Sequence, residues 1–201
     1  MTHILIVYGM TDGHTAKVAQ VLAENFRALR CCVDIVDAAG RRRRLSPEGY
    51  DGVIVAASVH IGDYQRAVGR WVRTHATTLN GIPTAFLSVC LAVLEQSATT
   101  RQEVVNIMER FFARTGWRPP IARPIAGAVR YTHYGWVKRL MMKRIVGKAG
   151  GSTDTTRDHE YTDWNDLRNF AREFTKRLAI VEPTAVGGAQ MIRGTPTASS
   201  R

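Results

Sequence analysis

Apolar and polar positions along this chain fall into two alternating patterns. Short, mostly apolar segments recur at residues 3–9, 32–38, 50–58, 82–91 and 119–127. Segments of this length and composition are typical of strands that lie inside a parallel sheet. Apolar residues recur with the period of a helix at residues 14–29, 64–79, 99–115 and 162–178. The pattern therefore predicts five strands and four helices in near-regular alternation.

Alternating strands and helices predict an α/β fold built on a doubly wound parallel sheet. Because a Gly- and Thr-containing turn follows the first strand, we expect the five strands to take the order 2-1-3-4-5. Ligands of such sheets bind beyond the carboxyl ends of the strands, where the strand order reverses. The loops expected to form a binding site are therefore 9–15, 58–64 and 88–97.

Two parts of the chain do not fit the alternation. Residues 128–160 are predicted to be an insertion before the last helix, for which Thr162 or Asp163 would be the N-cap. Residues 181–201 contain small residues, Gly and Pro without periodicity, so we expect a disordered tail. Residues 1–180 are accordingly predicted to form one domain that includes the insertion.

The charge of the chain is strongly positive and unevenly distributed. The formal net charge is +11 at pH 7, and residues 110–153 contain ten Lys or Arg but no Asp or Glu. Such a balance implies an acidic partner: nucleic acid, an anionic membrane surface or an anionic small molecule. No apolar run approaches the roughly 18 residues of a membrane span, and the N-terminus lacks the pattern of a secretory signal. The expected location is the cytoplasm.

The turn at residues 9–15, GMTDGHT, leaves two interpretations open. It lacks the third glycine of a dinucleotide-binding fingerprint and the lysine of a P-loop. It does offer two threonine hydroxyls and a series of backbone N–H groups at the start of a helix, which suit a terminal monophosphate. The alternative is that Thr11 and Asp12 only cap the first helix.

Motifs along the chain resemble those of a known family. The stretch YGMTDGHT resembles the FMN-phosphate loop of flavodoxins, with Thr11, Gly13 and Thr15 at the better-defined positions. The segments ASVHIGDY, FLSVCL, GWRP, IAGAVRY, GGSTDT and YTDWNDLRNFARE together resemble the quinone-dependent protoporphyrinogen IX dehydrogenase family. This resemblance extends from about residue 3 to about residue 178.

The resemblance implies a flavodoxin-like fold, FMN as cofactor and a role in haem biosynthesis. The implied reaction is the oxidation of protoporphyrinogen IX to protoporphyrin IX, with electrons passed to a membrane quinone. Because the flavin carries out the chemistry, we expect no catalytic side chain beyond it and no metal. The alternative functions are another FMN-dependent quinone reductase or electron-transfer protein, and a non-enzymatic module that binds nucleic acid or membrane.

The resemblance also implies which residues bind the cofactor. The phosphate loop is expected to comprise Met10, Thr11, Asp12, Gly13, His14 and Thr15. The residues expected to flank the flavin ring are Ser58, Val59, His60, Tyr64, Ser88, Val89, Cys90 and Leu91. His60 and Tyr64 would stack on the flavin or donate to it, or would be ordinary polar loop residues. Cys90 departs from the family pattern, in which a polar residue is expected.

The basic insertion is expected to contact the substrate or the membrane. The residues predicted for this role are Arg130, Tyr131, His133, Lys138, Arg139, Thr153 and Asp154. One interpretation is a helix that lies on an anionic membrane surface, so that the protein is peripherally associated with the inner face of the cell membrane. A second is a lid in which Arg130 pairs with the substrate's propionates. The alternative is a packed helix with a solvated basic face.

Overall fold

The structure of the chain, a computed structural model, describes residues 1–9, 13–40, 45–94, 97–129 and 159–181. Its strands are β1 (His3–Gly9), β2 (Cys32–Asp37), β3 (Gly52–Ser58), β4 (Thr84–Cys90), β5 (Ile121–Ala126), β6 (Ala128–Val129) and β7 (His159–Glu160). Its helices are α1 (His14–Ala28), α2 (Arg66–Thr74), α3 (Ala76–Gly81), α4 (Ala98–Thr115) and α5 (Trp164–Val181), with a 3₁₀ turn at Leu91–Leu94. The predicted tail lies outside the described residues, apart from the last residue of α5.

The main sheet has five parallel strands in the order β2-β1-β3-β4-β5, so the predicted doubly wound α/β fold is confirmed. Side chains alternate between the two faces of each strand, as the pleat of a strand requires. On β1, Ile4 and Ile6 pack against α1 and α5, whereas Leu5 and Val7 pack against α2 and α4. Two apolar layers therefore cover the sheet, and both of its faces are buried.

The layer beneath α2 and α4 is rich in aromatic rings. The Phe86 ring of β4 lies 5.0 to 5.9 Å, between centroids, from the rings of Tyr64, Phe111, Phe112 and Trp117. Phe86 and Trp117 are both fully buried. Each large apolar side chain buried in this way contributes roughly 1.5–3 kcal/mol to stability. This cluster fixes the position of α4 and of the loop that contains Tyr64.

One predicted helix is interrupted, and one of the two predicted N-caps of α5 is found. The single helix expected over residues 64–79 is divided at His75 into α2 and α3. His75 has a non-helical ψ of 14°, although its N–H still bonds to Trp71 O and Val72 O. The apolar periodicity continues across the break, since Val72 and Leu79 are both buried. At the start of α5, the Oδ1 atom of Asp163 accepts from the N–H groups of Asn165 and Asp166 at 2.9 and 3.1 Å. Asp163 is therefore the N-cap. The Thr162 side chain instead forms hydrogen bonds with Ala126 and His14.

The two ends of the insertion lie side by side. Ala128 pairs with Glu160 and Val129 with His159, in a two-stranded antiparallel ladder separate from the main sheet. The ladder follows β5 directly, and Tyr161 N–H bonds to Gly127 O at 3.1 Å. The chain thus leaves and re-enters the described fold at one place, next to the carboxyl edge of the sheet.

Candidate functional site

Three of the predicted loops meet at the carboxyl edge of the main sheet. Gly9, the last residue of β1, pairs with Ala57 of β3, which in turn pairs with Ser88 of β4. Just beyond this pair, Val59 N–H bonds to Val89 O at 3.0 Å. The strand order thus places the turn after β1 and the loops after β3 and β4 at the same edge, as the sequence predicts.

The described part of the first turn of α1 suits an anion. Gly13 precedes the helix in the left-handed conformation, with φ of 82°, which glycine adopts without strain. Among the described residues, no side chain caps this helix, and its first turn contains no acidic residue. The helix dipole and the N–H groups of that turn therefore favour a negatively charged group. His14 and Thr15 are buried, while Met10, Thr11 and Asp12 lie outside the described residues.

The loop after β3 contains a tight hairpin. His60 N–H bonds to Asp63 O at 2.8 Å, and Asp63 N–H bonds to His60 O at 3.3 Å. The two residues between them, Ile61 and Gly62, have φ of 51° and 71°, which is the backbone of a type I′ turn. At its base, Gln65 Nε2 donates to Ser58 Oγ at 2.6 Å. Ser58 and Val59 are half-buried, and His60 is exposed.

Two arginines of helix α4 bind this hairpin. The guanidinium of Arg114 donates to both carboxylate oxygens of Asp63, and Arg110 donates to the carbonyl of Gly62 at 3.4 Å. The hydrogen bonds from Arg114 lower the pKa of Asp63 against a smaller opposing effect of burial. Asp63 therefore stays ionised and keeps the hairpin attached to α4.

Tyr64 lies in the core rather than at the cleft. Its ring is 5% exposed and packs edge-on against Phe86 and Phe111, while its hydroxyl donates to Ser88 Oγ at 2.7 Å. Burial is the main reason that the pKa of Tyr64 is raised above its ordinary value. In this position the ring packs in the core, which does not favour the interpretation that Tyr64 stacks on a flavin. Its position in a predicted loop suggested exposure, but the aromatic cluster draws the ring inward.

The Tyr64–Ser88 hydrogen bond gives a testable expectation for stability. Tyr64→Phe leaves the fully buried Ser88 hydroxyl without this partner, so the free energy of unfolding should fall by about 1–2 kcal/mol. Because Ser88→Ala removes the stranded hydroxyl, the double variant should lose less than the sum of the two single variants. Urea unfolding of all four proteins measures this difference. Strict additivity would contradict a direct hydrogen bond.

The other predicted residues of β4 are buried or half-buried. Val89 and Cys90 are 3% and 7% exposed, and Leu91 begins the 3₁₀ turn. Cys90 O accepts from Gly127 N–H at 3.2 Å, so the end of β4 is tied to the start of the insertion. At this edge, β4 offers backbone groups to a ligand more readily than side chains. The predicted insertion residues lie outside the described residues: Arg130, Tyr131, His133, Lys138, Arg139, Thr153 and Asp154.

A polar cluster that the sequence did not predict joins α1 to the end of the insertion. The Thr162 hydroxyl donates to Ala126 O at 2.7 Å, so its oxygen accepts from His14 Nε2, also at 2.7 Å. Since a carbonyl can only accept, this arrangement places a proton on His14 Nε2. Lys17 and Glu160 form an ion pair at 2.6 Å. No local pattern connects residues 143 or 148 positions apart, which is why sequence reasoning missed them.

The carboxylate of Glu160 is held on both oxygens. Lys17 bonds to Oε2, Trp164 Nε1 donates to Oε1 at 2.8 Å, and the Lys17 ammonium lies 5.1 Å from the centre of the Trp164 ring. Burial acts to raise the pKa of Glu160. The hydrogen bond and charge of Lys17, together with His14 and Trp164, outweigh it and lower the pKa below its ordinary value of 4.5.

This shift predicts a pH dependence. A carboxylate whose pKa is lowered by folding stabilises the fold above its unfolded pKa, and the contribution is lost as the pH falls through the folded pKa. Glu160→Gln should therefore cost about 1 kcal/mol or less near neutral pH, since the pair is partly exposed, and nothing in strong acid. Urea titrations between neutral pH and pH below 4.5 measure the difference, with Glu103→Gln as a surface control. A cost that grows in acid would contradict the assignment.

Comparison with known proteins agrees with this fold. Residues 5–156 match the flavodoxin domain family, to which the chain therefore belongs. The solved structure of oxidised flavodoxin 1 from Bacillus cereus matches with a TM-score of 0.52 at 15% identity, covering 87% of this chain and 98% of that one. At this identity the structural match shows the fold alone.

Two curated relatives show which family of flavodoxin-domain proteins the chain belongs to. The protoporphyrinogen IX dehydrogenase [quinone] of Escherichia coli K12 is 38% identical over 169 residues, covering 84% of this chain and 92% of the relative. The protein of the same name from Leishmania major is 31% identical over 183 residues, covering 89% of this chain and 77% of that one. The chain belongs to the quinone-dependent protoporphyrinogen IX dehydrogenase family.

Proposed function

We propose that this chain oxidises protoporphyrinogen IX to protoporphyrin IX with FMN as cofactor and a membrane quinone as electron acceptor. The observation that carries the proposal is the 38% identity to the Escherichia coli enzyme over 84% of this chain and 92% of that one. The FMN part of the proposal is also supported by the described start of α1, which has no side-chain cap at Gly13 and lies at the reversal point of the sheet. The oxidation removes six electrons, and bound FMN supplies two-electron chemistry, so each substrate molecule requires three cycles.

The described residues fit the phosphate of FMN. Gly13 opens the first turn of α1 without a side chain, and no described side chain or acid competes for the N–H groups there. We propose that the backbone of residues 13–15 holds the phosphate together with the turn at 10–12. His14 is fixed through Thr162, so its ring helps to position this turn rather than to transfer a proton.

We propose that the flavin ring lies between the loops after β3 and β4. Ser58, Val59 and His60 would line one side through the loop that Gln65 fixes, and the backbone at Val89–Leu91 the other. Oriented N–H groups at that edge would stabilise negative charge on the reduced ring. The buried hydrogen bond between Tyr64 and Ser88 would hold these two loops together without contacting the flavin.

We further propose peripheral attachment to the inner face of the cell membrane, since the acceptor is a membrane quinone. In the described part of the chain, no helix is long and apolar enough to cross a bilayer. The basic segment that includes Lys138 and Arg139 would contact anionic lipid, and Arg130 the substrate's propionates. These residues lie outside the described part, so the charge pattern of the sequence supports this step.

An anaerobic assay tests the proposed function. FMN-loaded protein is mixed with protoporphyrinogen IX and a water-soluble quinone, and porphyrin fluorescence is followed against a protein-free control. We expect an enzyme-dependent rise that requires the quinone. FMN-loaded protein that reduces quinones from other donors, but leaves the porphyrinogen at its uncatalysed rate, would instead assign a general quinone reductase. If the protein does not bind FMN, both the dehydrogenase and the quinone reductase function are excluded.

A further inference from the structure

Helix α2 has an unusual distribution of charge. Its nine residues include Arg66, Arg70 and Arg73, all exposed, and no acidic residue. Spacings of four and seven residues place the three guanidiniums on one side of the helix, where like charges repel and destabilise it. A short helix gains nothing locally from this arrangement. Local rules of this kind are usually broken where a function requires it.

Helix α4 adds two more arginines to the same side of the molecule. A groove of about 390 Å³ between α2 and α4 is lined by Arg66, Arg70, Arg73 and Arg114, with Asp63 as the one carboxylate among its described lining residues. Asp63 is already paired with Arg114, and Arg110 lies one turn earlier on α4. The surface therefore has a large uncompensated positive charge and is complementary to an anionic partner.

An apolar side chain projects beside these arginines. Ile61, at the tip of the hairpin that Arg110 and Arg114 hold, is 93% exposed. Its φ of 51° is a strained value for a β-branched residue, which glycine or asparagine would adopt more easily. The chain thus keeps an exposed aliphatic side chain where both solvation and backbone geometry oppose it.

We propose that this surface, the α2–α4 basic face (Ile61, Arg66, Arg70, Arg73, Arg110 and Arg114), docks on an anionic lipid bilayer. The guanidiniums pair with lipid phosphates, and Ile61 enters the apolar boundary just below them. An aliphatic tip beside a basic face suits a bilayer better than single-stranded nucleic acid, which is bound through exposed aromatic rings. The exposed large hydrophobic residues of the described part are Met1, Ile61, Val105 and Ile180, none of them aromatic.

The position of the hairpin connects this docking with electron transfer to a membrane quinone. Ile61 belongs to the loop after β3, one side of the proposed flavin site, so docking brings that site to the bilayer surface. A quinone dissolved in the membrane could then reach it without leaving the lipid. The inference rests on the proposed function in this respect alone; docking through this face is argued from the arginines and Ile61, and the basic segment that includes Lys138 and Arg139 would add a second contact with the lipid.

Vesicle binding tests the proposal with matched charge changes. The flavin-loaded full chain is sedimented with vesicles of phosphatidylcholine containing phosphatidylglycerol, and with phosphatidylcholine alone. The variant Arg66→Gln/Arg70→Gln/Arg73→Gln removes three charges from the basic face. The control Arg168→Gln/Arg172→Gln/Arg177→Gln removes three from exposed positions on α5, in the other helical layer. We expect the first to weaken binding to anionic vesicles about tenfold to a hundredfold, and the control much less.

The variant Ile61→Asn separates the apolar contact from charge. Asparagine tolerates the left-handed backbone, so the hairpin is retained while the aliphatic group is lost. We expect several-fold weaker vesicle binding with no change in salt dependence. Equal losses in both triple variants, or no loss in the α2 variant, would overturn the proposal and leave the docking to net charge or to another segment.

The readouts keep this inference separate from the proposed function. Binding is measured without turnover, so a chain that fails to oxidise protoporphyrinogen still reports on docking. In reverse, the α2 triple variant should keep its flavin and its activity with a water-soluble quinone, and lose activity only with a quinone embedded in anionic vesicles. Equal activity of this variant and the wild type with the embedded quinone would contradict docking through this face.

Discussion

Gly9→Ala is expected to destabilise the protein by about 1–3 kcal/mol or more and to weaken FMN binding. A Cβ atom at position 9 would overlap Val68 Cγ2 and would lie 3.1 Å from Gln65 Oε1. Val68 is fully buried and β-branched, so it cannot rotate away, and the end of β1 or the start of α2 must shift. Both elements border the proposed flavin site.

Gly81→Ala is the matched control for this prediction. Position 81 ends α3, and an added methyl group there would have no atom within 4 Å, so alanine should leave stability and flavin content unchanged or slightly improved. Urea unfolding and the flavin absorbance of purified protein measure both effects. A Gly9→Ala protein as stable and as yellow as the Gly81→Ala protein would show that the carboxyl edge adapts to the extra methyl group.

Thr162→Val should have the second large effect. Valine matches threonine in shape but lacks the hydroxyl, which donates to Ala126 O and accepts from His14 Nε2. Since His14 is buried, the unmet hydrogen bonds should lower the free energy of unfolding by about 1–3 kcal/mol. Because His14 opens α1, we also expect FMN to bind several-fold more weakly.

Thr162→Ser separates the hydroxyl from the packing of the methyl group. Serine restores both hydrogen bonds, so most of the stability and FMN affinity should return. Chemical unfolding and fluorescence titration of FMN into the apoprotein distinguish the variants. Equal losses in the serine and valine variants would mean that the methyl contact, and not the hydroxyl, connects α1 to the start of α5.

The sheet was predictable because burial on both faces leaves a clear sequence signal. The apolar run at 50–58 and the helical spacing of Val18, Leu22 and Phe26 each indicate their elements without knowledge of the rest. The division of α2 from α3 was not predictable, since apolar spacing continues through His75 while only the backbone angles change.

The location of the candidate site in the fold was predictable, but the orientation of its side chains was less so. The reversal of strand order locates the loops at Gly13 and Ser58 from topology alone. Whether Tyr64 faces ligand or core depends on Phe86 and Phe111, which come from other elements and carry no local mark. Contacts such as Lys17 with Glu160 join distant parts of the chain, and a single sequence contains no period that reveals them.

The short ladder of β6 and β7 has a consequence for how such a protein can be rebuilt. Since Val129 and His159 pair directly, the two strands could be joined by a two-residue Asn-Gly turn without closing any gap. Such a variant would remove residues 130–158 while keeping both strands of the ladder. The sheet, α1 and α5 would supply the frame, and a different segment grafted onto the same pair of ends would test whether the insertion contributes to substrate choice.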